Sequence, residues 1–260
     1  MTLELNTRER AIIDRLSEDG AVSVANLAKE FGYSEVTIRG DLKLLEEKGW
    51  INRTRGGAAP ALHRSILERQ RIFPGRKNAI ARAAAELVND GDVIMIEAGT
   101  TTALIARYLA GKRDVHIVTN STLAFSYGRM NPSLQITMTG GEFRRPTESL
   151  VGPVALETIS RLNVRLAFVG TDGFTLEHGM TTHLMEGAEI VKAMRSHAAT
   201  TILTADSSKY GRMGFANVLP LSEVDLILTD GDLDAVAASE LEAAGIRVRR
   251  AKTAAEAVTV

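Results

Sequence analysis

The sequence predicts an α/β protein in two unequal parts: a small winged helix-turn-helix at residues 1–58 and a larger Rossmann-like α/β domain at residues 78–260, joined by a linker at 59–77. Three observations carry this. Helix signals, a tight turn and a glycine-flanked basic hairpin succeed one another in the first part. From Asn78 onward, short apolar runs alternate with helical patterns, as in a mostly parallel sheet covered by helices. Glycines, hydroxyls and charged residues recur at the ends of those runs, where open α/β sheets bind ligands.

In the first part, Asn6 or Thr7 opens a helix with Ile12, Ile13 and Leu16 on one side, closed at Gly20. Ser23 caps a second, short helix bearing Val24, Leu27, Ala28 and Phe31, and Gly32-Tyr33 turns the chain. Ser34 then starts a third helix, its hydroxyl oxygen placed to accept from the N–H of Val36 or Thr37. Ile38, Leu42 and Leu45 form its apolar stripe. The opposite face is Val36, Gly40, Lys43 and Glu47, flanked by Thr37 and Arg39. Gly49 ends the helix, and Trp50 through Arg55 extend into Gly56-Gly57. A helix followed by a hairpin carrying Arg53 and Arg55 fits a recognition helix and wing. The helix lies in the major groove and the wing holds the backbone beside it. The expected DNA contacts are Ser34, Val36, Thr37, Arg39, Gly40, Lys43, Arg53 and Arg55. Taken alone, the same stretch also reads as an amphipathic helix and a surface hairpin.

Composition narrows the class. A length of 260 residues allows one large or two unequal domains, and 45% hydrophobic with 24% charged residues is ordinary for a globular protein. No apolar run approaches the roughly 20 residues of a membrane span, and MTLELNTRER lacks the apolar core of a signal peptide. There is no cysteine, hence no disulfide and no cysteine-zinc site. A cytoplasmic protein fits these features. A net charge of −1 gives no global sign of nucleic-acid binding, so attraction to DNA has to come from the local patch of Arg39, Lys43, Arg53 and Arg55.

Between the two parts, Ala58–His63 reads as linker and Ser65–Arg71 as a segment that docks on the second part. That part starts with a helix over Asn78–Asn89 and a buried strand, Val93 to Ile96, leading into Glu97-Ala98-Gly99-Thr100-Thr101-Thr102. Backbone N–H groups, a glycine permitting close approach and three hydroxyls make this loop a phosphate cradle in outline, although threonine is also a helix cap. Thr119-Asn120-Ser121, Gly140-Gly141, Asp172-Gly173 and Asp206 with Lys209 end four other strands. Lys209 offers a point charge for phosphate, while Asn120 and Asp172 can bond sugar hydroxyls. Asp206 reads equally as a strand-end cap or an acid. His183 and His197 have no metal-ligand spacing, and nothing calls for a cofactor.

Two sets of residues carry a resemblance to a family. SVANLAKEFGYSEVTIRGDLKLLEEKGWINRTRGGA, with its core Ser34, Thr37, Ile38 and Arg39, is similar to the N-terminal signature of the DeoR family of bacterial transcriptional regulators. GTTT, VTNS, TGGEFRRPTESLVGP, FVGTDGF, GMTTH and TADSSKYGR resemble its effector domain, which is related to ribose-5-phosphate isomerase. The resemblance spans nearly the whole chain. It implies a repressor of sugar-metabolism genes, a homodimer or homotetramer on double-stranded operator DNA, controlled by a phosphorylated sugar. The effector contacts it implies are Glu97, Gly99, Thr100, Thr101, Thr102, Asn120, Gly140, Gly141, Asp172, Gly173 and Lys209. GMTTH (Gly179–His183) resembles members that respond to phosphorylated amino sugars.

The chain departs from the family at four places. Gly40 stands where a second basic or polar residue is usual, and Trp50 is bulkier than expected, packing on the third helix. Glu97 replaces the usual Asp, and Gly187-Ala188 the usual Glu-Ala. An isomerase with an attached DNA-binding module is the alternative, because Asp172 remains as a base. The glycine-rich loop followed by Glu-Lys that such an enzyme needs is replaced by Gly179–His183, so no catalytic residue is expected.

Overall fold

The computed structural model describes residues 5–19, 21–47, 50–60 and 64–252, in two compact units divided between Arg69 and Gln70. The expected helix ends at Gly20 and Gly49 lie outside the described residues, as do Ala61–His63 of the expected linker.

In the first unit, α1 (Thr7–Asp19) begins with a capping box. The Glu9 N–H donates to Asn6 Oδ1 at 2.8 Å and the Asn6 N–H to Glu9 Oε2 at 2.9 Å, so Asn6 is the cap. Ser23 caps α2 (Val24–Phe31) by accepting from the Asn26 N–H at 3.1 Å, and left-handed Gly32 closes it. Ser34 accepts from the Thr37 N–H at 3.1 Å and so opens α3 (Glu35–Glu47). The wing has three strands, not two: β1 (Val22–Ser23), β2 (Ile51–Thr54) and β3 (Gly57–Pro60), antiparallel in the order β1-β3-β2. Only glycine fits at position 57, since a Cβ there would lie 2.2 Å from the Val22 carbonyl oxygen. Ile12, Leu16, Leu27, Ile38, Leu42 and Leu45 meet in one core. Trp50 packs against that core and donates its backbone N–H to the Leu45 carbonyl at 2.9 Å, as its size suggests.

Gly40 lies inside α3, and beyond its chain neighbours and the helix's own backbone no atom comes within 4 Å of where its Cβ would be. Gly40→Ala therefore adds no clash and removes a mid-helix glycine worth about 1 kcal/mol. We expect a melting temperature higher by about 4–8 °C for a unit of this size, followed by the fluorescence of Trp50, the chain's single tryptophan. An unchanged or lower midpoint would contradict a regular helix at position 40.

The stretch expected as linker, 59–77, carries secondary structure of its own among the described residues. Ala59 and Pro60 belong to β3, α4 (Arg64–Arg71) comes next, and α5 runs Pro74–Ala85 instead of Asn78–Asn89. Pro74 occupies a first-turn position, where its missing N–H and fixed φ suit a helix start.

In the second unit, seven parallel strands stand in the order β15-β14-β12-β9-β4-β5-β6. They are β4 (Val93–Ile96), β5 (Val115–Thr119), β6 (Leu134–Met138), β9 (Val164–Val169), β12 (Ala198–Thr204), β14 (Leu226–Asp230) and β15 (Val248–Ala251). Met95, Val118 and Ala167 pack with Ile159 of α8 (Pro153–Ser160) and Ile190 and Met194 of α9 (Met185–Ser196) on one face. The strand residues in between face α5, α6 (Thr102–Tyr108) and α7 (Thr122–Gly128), which pack in that order. Helix α10 (Ala235–Ala243) packs by β15. Two small antiparallel sheets carry no signal in the sequence: β7 (Glu142–Arg144) with β8 (Ser149–Val151), and β10 (Gly173–Thr175) with β11 (Gly179–Thr182) and β13 (Ala216–Asn217).

The strand order reverses between β4 and β9. After β4 the chain builds outward through β5 and β6, then returns to the other side of β4 for β9, β12, β14 and β15. The crevice of an open α/β sheet opens at such a point, beyond the strand carboxyl ends.

Candidate nucleic-acid interface and effector site

Helix α3 offers its solvent face as the sequence anticipates. Val36 is 79% exposed near its N-terminal end, and the missing side chain of Gly40 leaves open space one turn on. Ser34 is the cap, its hydroxyl bonded to that of Thr37 at 2.9 Å. Arg39 donates to Glu35 at 2.9 Å, Lys43 stands 4.0 Å from Glu47, and the Arg53 guanidinium stands 3.9 Å from Glu46, which also accepts the Arg53 N–H at 3.1 Å. Arg55 is exposed in the turn between β2 and β3.

The sequence reading missed what fixes this face. Asp41, buried on the underside of α3, takes a two-pronged ion pair from Arg8 of α1 at 2.6 and 2.9 Å. The Arg8 guanidinium also lies 4.6 Å over the Tyr33 ring, so the turn before α3 and the helix itself are tied to α1. The Asp41 bond raises the pKa of Arg8 above its ordinary value. A signal for this pair existed: Asp41 falls three residues after Ile38 and four before Leu45, on the apolar stripe, where an acid needs a partner.

In the second unit, the loop after β4 sits at the strand-order reversal. Glu97 spans the gap: its N–H donates to the Phe168 carbonyl at 2.9 Å, and its Oε2 accepts from the Gly170 N–H at 3.1 Å. Thr102 is buried and its hydroxyl donates to the Gly99 carbonyl at 3.1 Å, closing the loop on itself. Thr101 makes no side-chain cap bond, which removes capping as its reason to be there. Among the described residues, no acceptor meets the N–H groups of Gly99, Thr100 and Thr101 or the hydroxyls of Thr100 and Thr101, all half-buried.

The other expected contacts divide. Asn120 is 1% exposed and already engaged: its Oδ1 accepts from the Ala98 N–H at 2.9 Å and its amide donates to the Leu150 carbonyl at 3.1 Å. It shapes the cradle rather than offering a free amide to a sugar. Asp172 lies beyond β9, where its Oδ2 accepts from the Thr182 hydroxyl and the His183 N–H, both at 2.9 Å. Gly141 and Gly173 are required by crowding: a Cβ would lie 2.4 Å from the Val151 carbonyl oxygen at the first and 2.3 Å from that of Arg212 at the second. Gly140, in a left-handed conformation at φ 70°, follows the edge strand β6, two strands from β4.

Lys209 ends a 3-10 turn, Ser207–Lys209, beyond β12. That turn is firmly pinned. Asp206 caps it through the Ser208 N–H and hydroxyl, and buried Asp230 accepts from the Ser207 N–H at 2.7 Å and hydroxyl at 3.0 Å. Arg76 of α5 adds a bond to the Ser207 hydroxyl at 3.2 Å and an ion pair to Asp232 at 2.6 Å. Asp206 is therefore a cap. Across the sheet, the five strand ends span about four strand spacings, roughly 19 Å, so one sugar-sized ligand reaches only those nearest its centre. Among the described residues no cluster has the composition of a metal site, and no helix is long and apolar enough to cross a membrane.

Comparison with known proteins places both parts of the chain in known families. Residues 8–61 match the profile of the DeoR-like helix-turn-helix domain, and residues 73–231 that of the DeoR C-terminal sensor domain. The HTH-type transcriptional regulator GlpR of Haloferax volcanii is 38% identical, over 93% of this chain and 96% of its own. The HTH-type transcriptional repressor GlcR of Bacillus subtilis is 33% identical, over 85% of this chain and 86% of its own. A solved ribose 5-phosphate isomerase A from Neisseria gonorrhoeae covers 52% of each chain at 19% identity and a TM-score of 0.38, too distant to carry an argument.

Proposed function

The chain belongs to the DeoR family of transcriptional regulators, and on that premise we propose that it represses sugar-metabolism genes under the control of a phosphorylated sugar bound in its second unit. The observation that carries the sensing half is the loop at the strand-order reversal. Three backbone N–H groups and two threonine hydroxyls stand there without protein acceptors among the described residues, in a loop held by Glu97, Thr102 and Asn120. Pre-aimed donors with no internal partner suit an anion with many acceptor oxygens. Lys209 and Asp172, at the next strand ends on one side, supply a cation for phosphate and an acceptor for hydroxyls.

In the cytoplasm, two or more copies associate and set their α3 helices on repeated or palindromic half-sites of double-stranded DNA. Ligand releases the operator, and by reciprocity bound operator weakens the ligand by the same factor. We read the chain as a sensor and not an isomerase. The one retained acid, Asp172, is engaged by Thr182 and His183, and the Glu-Lys pair for proton transfer is missing from Gly179–His183.

A thermal-shift panel of pentose, hexose and amino-sugar phosphates, with the unphosphorylated sugars as controls, tests this. At 100 times its dissociation constant the effector is expected to stabilise its unit by about 2.7 kcal/mol, and the parent sugar to give no shift. A panel without any shift would remove the sensing reading. Conversion of a stabilising ligand would instead restore the isomerase.

A further inference from the structure

We infer that Glu35 sets the sequence discrimination of the reading head by holding Arg39 back from DNA phosphates. The inference rests on α3 being the reading helix. The basic residues of this face are not a bare cationic patch, because α3 itself carries a carboxylate against each of three: Glu35 for Arg39, Glu47 for Lys43 and Glu46 for Arg53. Of the three contacts between side chains, only Glu35 with Arg39 is at hydrogen-bond distance, 2.9 Å against 4.0 and 3.9 Å. It also spans the first two turns of α3, from Glu35 to Arg39, and recognition helices present their N-terminal residues to base edges.

Two consequences arise for DNA. On a random sequence, Arg39 can gain only from phosphates, and Glu35 competes for the same guanidinium while its charge repels the backbone. At the cognate site a guanidinium has N–H donors on two edges. One edge can stay on Glu35 while the other meets a guanine, so the pairing that hinders phosphate binding orients base reading. Val36, exposed beside the pair, adds an apolar contact of the kind thymine methyls offer. The simpler view makes Glu35 with Arg39 an ordinary surface pair that steadies a helix, which predicts no change in discrimination.

The test uses the full chain and two duplexes: one enriched from a random library by the wild-type protein, and one of random sequence. Glu35→Gln keeps the size and helix propensity of the side chain. It is expected to bind the random duplex more tightly, with a salt dependence steeper by about 0.9 in log-log slope. Its ratio of selected-site to random affinity is expected to fall roughly tenfold. Glu47→Gln makes the same change in charge on the same helix and is expected to leave that ratio nearly intact. Equal behaviour of the two variants would reduce the effect to net charge and overturn the assignment. So would an unchanged ratio in Glu35→Gln alongside lost discrimination in Arg39→Ala. If Arg39→Ala and Glu35→Gln both bind as wild type, α3 is not the reading helix and the underlying premise fails instead. Trp50 fluorescence confirms that each variant is folded; Glu35→Ala replaces Glu35→Gln if the latter is not.

Discussion

Ile38→Ala is expected to remove about 3 kcal/mol from the stability of the N-terminal unit and, with it, most DNA binding at 37 °C. Ile38 is fully buried on the inner face of α3, in one core with Leu27, Leu42 and Leu45, and truncation leaves a cavity there that the packed neighbours fill only in part. The unit is small, and at roughly 0.05–0.15 kcal/mol per residue its total stability is only a few times that loss or less. Observed DNA affinity falls with the fraction of heads that remain folded. Urea denaturation followed at Trp50 reads the N-terminal unit selectively, because the chain has no other tryptophan. Val36→Ala, two residues away on the opposite face of the same helix and 79% exposed, is the contrast: its stability should stay within about 0.5 kcal/mol, with any effect confined to DNA. A midpoint that does not move in Ile38→Ala would mean that α3 is not anchored by its apolar stripe.

The main elements of both units were legible because each is written in a local signal. Ser23 and Ser34 cap as their chemistry demands, and Val93–Ile96 and Val164–Val169 are the near-continuous apolar runs of strands covered on both faces. The small sheets were not legible. Their strands are two to four residues long, too short to show alternation, and long-range contact makes them. Gly141 and Gly173 illustrate the difficulty. Glycine beside a strand end suits a ligand and suits a crossing backbone equally, and only the fold shows carbonyls of Val151 and Arg212 occupying the space. Asn120 likewise stands where a sugar-binding amide belongs, yet both its ends hold backbone. Pro74 misled in another way: as punctuation it reads as linker, whereas at the first turn of a helix it costs nothing.

Lys209→Ala is expected to abolish release of the operator by the effector while leaving operator affinity in its absence unchanged. The turn that carries Lys209 is held along its backbone and serines: Asp206, Asp230 and Arg76 hold Ser207 and Ser208, and the Lys209 N–H donates to the Asp206 carbonyl at 2.9 Å. Truncation withdraws a charge while these bonds of the turn remain. A charge-assisted hydrogen bond to phosphate is worth about 1.5–3 kcal/mol, so the dissociation constant should rise roughly 10- to 100-fold. A 100-fold rise sets a clear thermal readout. At a ligand concentration that stabilises the wild type by about 2.7 kcal/mol, the variant gains only about 0.4. Lys209→Arg, which keeps the charge on a wider fork, should recover part of the response. If Lys209→Ala releases DNA like the wild type, the phosphate lies toward β5 and β6, and the ligand must be centred on the other side of the Gly99 loop.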